Sequence, residues 1–137
     1  MCNENQNSCS CFEDILCTIV KLQRQGQCLD QNILSCDRPF LGLNSNANVF
    51  NTRPISLYTC CNNNLWTIPY TLNGTTGESN VFRCEAVEDC CCTLRVLAPN
   101  PDVTSVFPYV ATDTFCTINL NCVGTIRCLD DTFISCI

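Results

Sequence analysis

The sequence predicts a mainly β, single-domain fold: an antiparallel β-sandwich or jelly-roll-like barrel with one N-terminal amphipathic α-helix. Two observations predict it. Short runs rich in β-branched and aromatic residues recur from Ile55 to the C-terminus, separated by Asn, Asp, Gly and Pro. Only one segment, close to the N-terminus, carries the helical apolar period. The length of 137 residues suits one domain, and 46% hydrophobic against 15% charged residues is the balance of a chain that buries a core.

Residues 1–11 are polar, rich in Asn, Ser and Cys, and read as a flexible cysteine-bearing arm; residues 12–137 read as the domain. The helix is expected at about 12–25. Phe12, Ile15, Leu16, Ile19 and Val20 fall at i, i+3, i+4, i+7 and i+8. Ser10 and Glu13 make a capping-box pair, and Gly26 stands where a left-handed C-terminal cap belongs. Ile55–Cys61 and Leu65–Thr71 read as strands about an Asn62-Asn63-Asn64 turn, with a second turn region from Asn73-Gly74 to Gly77. Asn80–Val87 and Cys91–Ala98 form the next pair, joined by Glu88-Asp89, and Pro99-Asn100-Pro101-Asp102 breaks regular structure. In Thr114–Cys122, Cys116, Ile118, Leu120 and Cys122 share one face. Gly124–Leu129 and Thr132–Ile137 close the fold around Asp130-Asp131.

Composition excludes several functions. The net charge is -6 with a single lysine, so the chain has little with which to grip phosphates, and we expect no nucleic-acid partner. No apolar run approaches the ~20 residues of a membrane-spanning helix, and no membrane insertion is expected. Histidine is absent, which removes Ser-His-Asp and Cys-His catalysis and Cys-His zinc sites. No catalytic, cofactor-binding or metal residues are assigned, and no cofactor is expected.

Cysteine stands out, at 16 of 137 residues, above the ~8–10% that marks a disulfide scaffold. Disulfides usually accompany secretion. The opening residues lack the basic and apolar regions of a signal peptide, so we expect synthesis in a reducing cytosol with oxidation later; a trimmed signal peptide is the other reading. No two cysteines stand three apart, which argues against zinc ribbons and thioredoxin-type pairs. Cys60-Cys61 and Cys90-Cys91-Cys92 are adjacent runs, and neighbours in a strand point to opposite faces. With Cys92, Leu94 and Val96 inward, Cys91 faces outward. Every such parity choice leaves thiols on the surface, where a neighbouring molecule is a natural partner. Candidate intermolecular cysteines are Cys2, Cys9 and Cys11 in the arm, then Cys61 and Cys91; a flexible segment spans to a neighbour at small strain. Cys116 and Cys122 are expected to be buried or paired within the subunit. The alternative is a soluble disulfide-rich binding module, inhibitor- or toxin-like, with every bridge internal, which the even count permits.

Among the remaining residues, Trp66, Phe82, Phe107, Phe115 and Phe133 are expected in the core. Glu85, Glu88 and Asp89 read as a solvated strand end, and Arg53 as the partner of an acidic residue.

Several stretches are specific enough to carry a resemblance: Pro39-Phe40-Leu41-Gly42, Asn51-Thr52-Arg53-Pro54 running into Leu57-Tyr58-Thr59, Phe82-Arg83-Cys84-Glu85-Ala86-Val87, Leu94-Arg95-Val96-Leu97, and Cys116 to Leu129. In these the sequence resembles the CotY/CotZ family of spore coat proteins, which includes the exosporium protein ExsY, of Bacillus and its relatives. The absence of histidine and the triple cysteine at 90–92 depart from the family's pattern. The resemblance implies a structural protein that self-assembles into a disulfide-cross-linked two-dimensional lattice around the spore. It implies a homo-oligomeric, hexameric lattice unit, other coat and exosporium proteins as partners, and synthesis in the mother-cell cytoplasm without a signal peptide.

Overall fold

The computed structural model describes residues 9–29 and 50–135. Most of the arm, including Cys2, and the Pro39–Gly42 stretch lie outside the described residues. The helix, α1, spans Ser10–Leu29, longer at both ends than expected. It passes through Gly26, so that residue is not its cap. Leu16, Ile19 and Val20 are buried, whereas Ile15, placed in the stripe by its spacing, is 42% exposed. The buried face is completed by two polar residues, Glu13 and Gln23. The Ser10–Glu13 capping box does not form as expected: Glu13 turns inward, and one of its carboxylate oxygens accepts the Cys90 N–H at 2.5 Å.

Among the described residues seven strands follow: β1 (Ile55–Thr59), β2 (Ile68–Leu72), β3 (Thr75–Ser79), β4 (Phe82–Glu88), β5 (Cys91–Pro99), β6 (Tyr109–Asn119) and β7 (Val123–Cys128). All pairs are antiparallel. Five strands form a sheet in the order β6-β5-β4-β1-β7, and β2-β3 is a separate ribbon. Both two-residue turns have positive φ at each position: 52° and 80° at Asn73-Gly74, 52° and 65° at Asp89-Cys90. That is the type I′ geometry, whose twist matches the flanking strands. The expected Asn62–Asn64 turn forms, but β1 and the strand after it meet only at a Tyr58–Leu65 bridge. β1 pairs along its length with β7 instead.

The sheet cannot be flat. Its edges, β6 and β7, would lie roughly 19 Å apart across four strand spacings. Yet only the 3-10 helix Leu120–Cys122 joins them, a link that reaches about 14 Å even fully extended. The sheet therefore curls until its edges approach at that end, in line with the barrel-like expectation. The β2-β3 ribbon lies over β5 and β6. The hydrophobic core runs from Leu16, Ile19 and Val20 through Ile55, Leu57, Phe82, Leu94 and Val96 to Ile118 and Leu120.

Helix α1 seals a gap. β1 and β4 share one ladder pair, Ile55 with Phe82. The next pair in that register would be Arg53 with Cys84. Between them lies the buried Gln23 amide: its Oε1 accepts the Arg53 N–H at 3.0 Å and its Nε2 donates to the Cys84 carbonyl at 2.8 Å. On the other side of Ile55, Trp66 N–H donates to the Leu57 carbonyl at 2.8 Å. The backbone groups of two diverging strands are thus satisfied by other segments, as burial requires.

Candidate functional site

The curl gathers cysteines from distant parts of the chain. β1 ends at Thr59, and Cys60 and Cys61 follow in the exposed turn. Cys60 N–H donates to the Cys122 carbonyl at 3.0 Å, which places these thiols together across the β1–β7 junction. Two residues back along the 3-10 helix, Leu120 N–H donates to the Cys90 carbonyl at 2.8 Å. This ties the same corner to the β4–β5 turn and to exposed Cys91, which pairs with Asn119. The free and exposed thiols Cys60, Cys61, Cys91 and Cys122 therefore occupy one end of the curled sheet. Exposed Cys11 stands two residues beyond Cys9, which is bonded to Cys90 in the same corner. Exposed Cys128 stands apart, opposite Ile55. The Cys60 thiol is raised above its ordinary value, by partial desolvation first and then by Cys61 and Cys122 beside it.

Beneath this surface lies a covalent anchor. Cys9 and Cys90 form a disulfide with a Cα–Cα separation of 5.9 Å, linking the start of α1 to the β4–β5 turn. Cys90 has φ 65°, where glycine is the usual choice; the bond to Cys9 accounts for a cysteine there. Beside the bridge, Glu13 Oε1 is buried with no hydrogen-bond partner among the described residues. The Cys9 and Cys90 sulfurs and a Glu13 oxygen all lie within 4.8 Å of one another. Deeper still, buried Cys84 and Cys92 place their sulfurs 3.3 Å apart across β4 and β5. The Cys92 thiol is pushed far up, by its hydrogen bond with Cys84 first and by burial second. Cys17, buried on α1, is also disulfide-bonded.

Two expectations are corrected. Cys9 was expected to reach a neighbouring chain from the arm; it is 1% exposed and bonded to Cys90 of its own chain. Cys116 and Cys122 were expected together inside the subunit. Cys116 is half-buried against the core, its thiol raised by that burial, but Cys122 is exposed. Strand alternation holds only to Asn119; the 3-10 helix then turns Leu120 inward and Cys122 outward. Phe107 and Phe115 are also partly exposed rather than in the core. Phe107 tilts against Phe133 at 5.6 Å, and Phe115 lies under the Arg95 guanidinium at 4.4 Å.

Three of the stretches that carried the resemblance, at Asn51–Pro54, Phe82–Val87 and Leu94–Leu97, meet in one polar network. Asn51 acts as a strand residue through its side chain, donating to the Ile134 carbonyl at 2.8 Å and accepting the Ile134 N–H at 2.9 Å. Arg83, 2% exposed, donates to Thr52 Oγ1 and to the Asn51 carbonyl. Its other guanidinium nitrogen pairs with Glu85 at 2.7 Å, and Glu85 also takes Arg95 at 3.1 Å. Glu85 was expected in a solvated strand end; it is instead the shared anion of two arginines. Arg53 pairs with Asp131 at 2.6 Å and 2.9 Å, which raises the Arg53 value and lowers the Asp131 value.

A family model described as spore coat protein Z matches residues 1–107. The chain belongs to the spore coat protein Z family. Its role is structural and its place is the spore coat. The match covers the Asn51–Pro54 stretch, β4, β5 and the thiols Cys11, Cys60, Cys61 and Cys91, and it ends just before β6. Searches of curated proteins and of solved structures gave no match. No helix among the described residues is long and apolar enough to cross a membrane.

Proposed function

We propose that this coat protein is a self-assembling subunit of an ordered, disulfide-cross-linked protective layer of the endospore coat or exosporium. The observation that carries the reading is the set of exposed free thiols Cys11, Cys60, Cys61, Cys91, Cys122 and Cys128 on a subunit whose anchoring disulfide is internal. Exposed free thiols pair between molecules once the surroundings become oxidising. Interchain bridges are assigned to Cys2 and Cys11 at the N-terminus and to Cys61 and Cys91 at the sheet end, with Cys60 and Cys122 beside them.

Synthesis in the mother-cell cytosol means that first contacts form between reduced subunits, by surface complementarity. The β5–β6 loop offers an apolar surface for this: Val103 is 90% and Val106 84% exposed. A closed ring, hexameric in this reading, that repeats into a lattice uses such a patch on every copy. Oxidation then locks what packing has built.

Full-length protein made in a heterologous host, without cofactor or nucleotide, should form sheets, tubes or rings under the electron microscope. On non-reducing gels it should give a ladder that collapses under heat with reductant but not heat alone. A strictly monomeric protein at high concentration would overturn the reading. Immediate release of monomers by mild reductant at room temperature would reverse the proposed order of packing and locking.

A further inference from the structure

We propose that, when Cys9 and Cys90 are reduced, the chain binds one zinc ion between their two thiolates and the Glu13 carboxylate, the disulfide and the metal being alternative closures of one site. Assembly of the coat does not require this site.

Glu13 is 4% exposed, on the inner face of α1, and only one of its carboxylate oxygens is satisfied, by the Cys90 N–H. The other has no hydrogen-bond partner among the described residues. A buried carboxylate oxygen left unpaired costs free energy that a well-packed apolar residue would not. A Glu13 carboxylate oxygen lies within 4.8 Å of both cysteine sulfurs. Two soft thiolates and one hard carboxylate, with a fourth position for water, is a donor set that suits tetrahedral zinc. With Zn–S bonds of about 2.3 Å, tetrahedral ligands stand roughly 3.7 Å apart, so the two sulfurs need only separate after reduction. Cys9 and Glu13 sit one helical turn apart and Cys90 comes from a tight turn, so the ligands are held by regular elements rather than by loose loops. The metal would supply charge compensation for Glu13 and tie α1 to the β4–β5 turn while the cytosol keeps the thiols reduced. The disulfide makes the same tie once the surroundings oxidise.

The exchange is a balanced two-electron step. A low-molecular-weight disulfide accepts two electrons from the two zinc-bound thiolates and becomes two thiols, taking up two protons. The Cys9–Cys90 bond forms, both Zn–S bonds break, and the zinc ion leaves.

The test uses the full chain, reduced without oxygen by a phosphine, stripped of metal and then exposed to glutathione disulfide. The Cys9–Cys90 linked peptide is followed by mass spectrometry, with free zinc either held constant by a chelating buffer or absent. Zinc should slow formation of this bridge by roughly tenfold or more, and zinc release should keep step with it. Glu13→Gln should remove most of that protection. Cys90→Ser, as an independent variant, should bind one zinc fewer than the unaltered chain. If zinc binds only at the exposed thiols, leaving the Cys9–Cys90 rate unchanged and the stoichiometry of Cys90→Ser unaltered, the proposal is overturned.

Discussion

Replacing Gln23 by leucine tests how α1 holds the sheet together. Leucine keeps nearly the same volume, so little cavity opens. Two backbone groups lose their partner at once: the Cys84 carbonyl, bonded at 2.8 Å, and the Arg53 N–H, bonded at 3.0 Å. Orphaning one buried polar group costs about 1–3 kcal/mol. Arg53 is half-buried and water reaches it in part, so the two together come to roughly 3 kcal/mol. That is a large fraction of the ~5–15 kcal/mol by which such domains are stable. It should lower the melting temperature by on the order of 10 °C. Thermal and urea unfolding should be run under reductant, so that disulfides do not prop up the variant. Gln25→Leu, two residues on and exposed, is the control and should shift stability by less than about 0.5 kcal/mol. Gln23→Glu should be worse than leucine, since it buries a carboxylate against the Cys84 carbonyl. If Gln23→Leu falls within about 0.5 kcal/mol of the unaltered chain, the amide is not what holds β1 to β4, and the account of the split sheet fails.

Glu85→Gln leaves Arg83, almost fully buried, without its anion, and weakens Arg95 as well; we expect a loss of about 2 kcal/mol in urea unfolding, discounted for the partial exposure of Glu85. The Arg53–Asp131 pair is more exposed and is worth about 0.5 kcal/mol at neutral pH. Because Asp131 is held below the ordinary carboxylate range, that contribution is present at neutral pH and disappears as pH falls through its folded value. Asp131→Asn should therefore lower stability at pH 7 and converge with the unaltered chain in acid. With its thiol raised, Cys60 should alkylate and cross-link at higher pH than an ordinary cysteine, which mass mapping of alkylated samples against pH reads directly. Faster labelling of Cys60 than of a free cysteine at pH 7 would contradict this.

What the sequence alone determined is what depends on neighbours along the chain. The position of α1 follows from its apolar period, and the Asn73-Gly74 turn from residues that tolerate positive φ. The inward face of β5, with Cys92, Leu94 and Val96 in and Cys91 out, follows from strand alternation. Surface thiols were equally legible, because two adjacent cysteines in a strand cannot both point inward. The resemblance stretches were legible as motifs, but not their meaning. Asn51, the Arg83–Glu85 pair, Arg95 and Ile134 come from separate segments and form one hydrogen-bonded network only when the stretch before β1, β4, β5 and the C-terminal segment meet.

Tertiary structure decided the rest. Cys9 looked like part of a free arm, yet its partner lies 81 residues away in a turn. Glu13 read as half of a capping box, and nothing local in the sequence gave Gln23 a role. Both are buried because α1 lies where β1 and β4 diverge, a divergence written in no local pattern. Cys122 sits on the right parity for burial but one turn past the end of its strand. Periodicity reports the face a residue takes while its element continues. Where the element ends, and which distant segment covers it, is set by the pairing of strands and the closure of the sheet, energies shared among residues that no window of sequence contains.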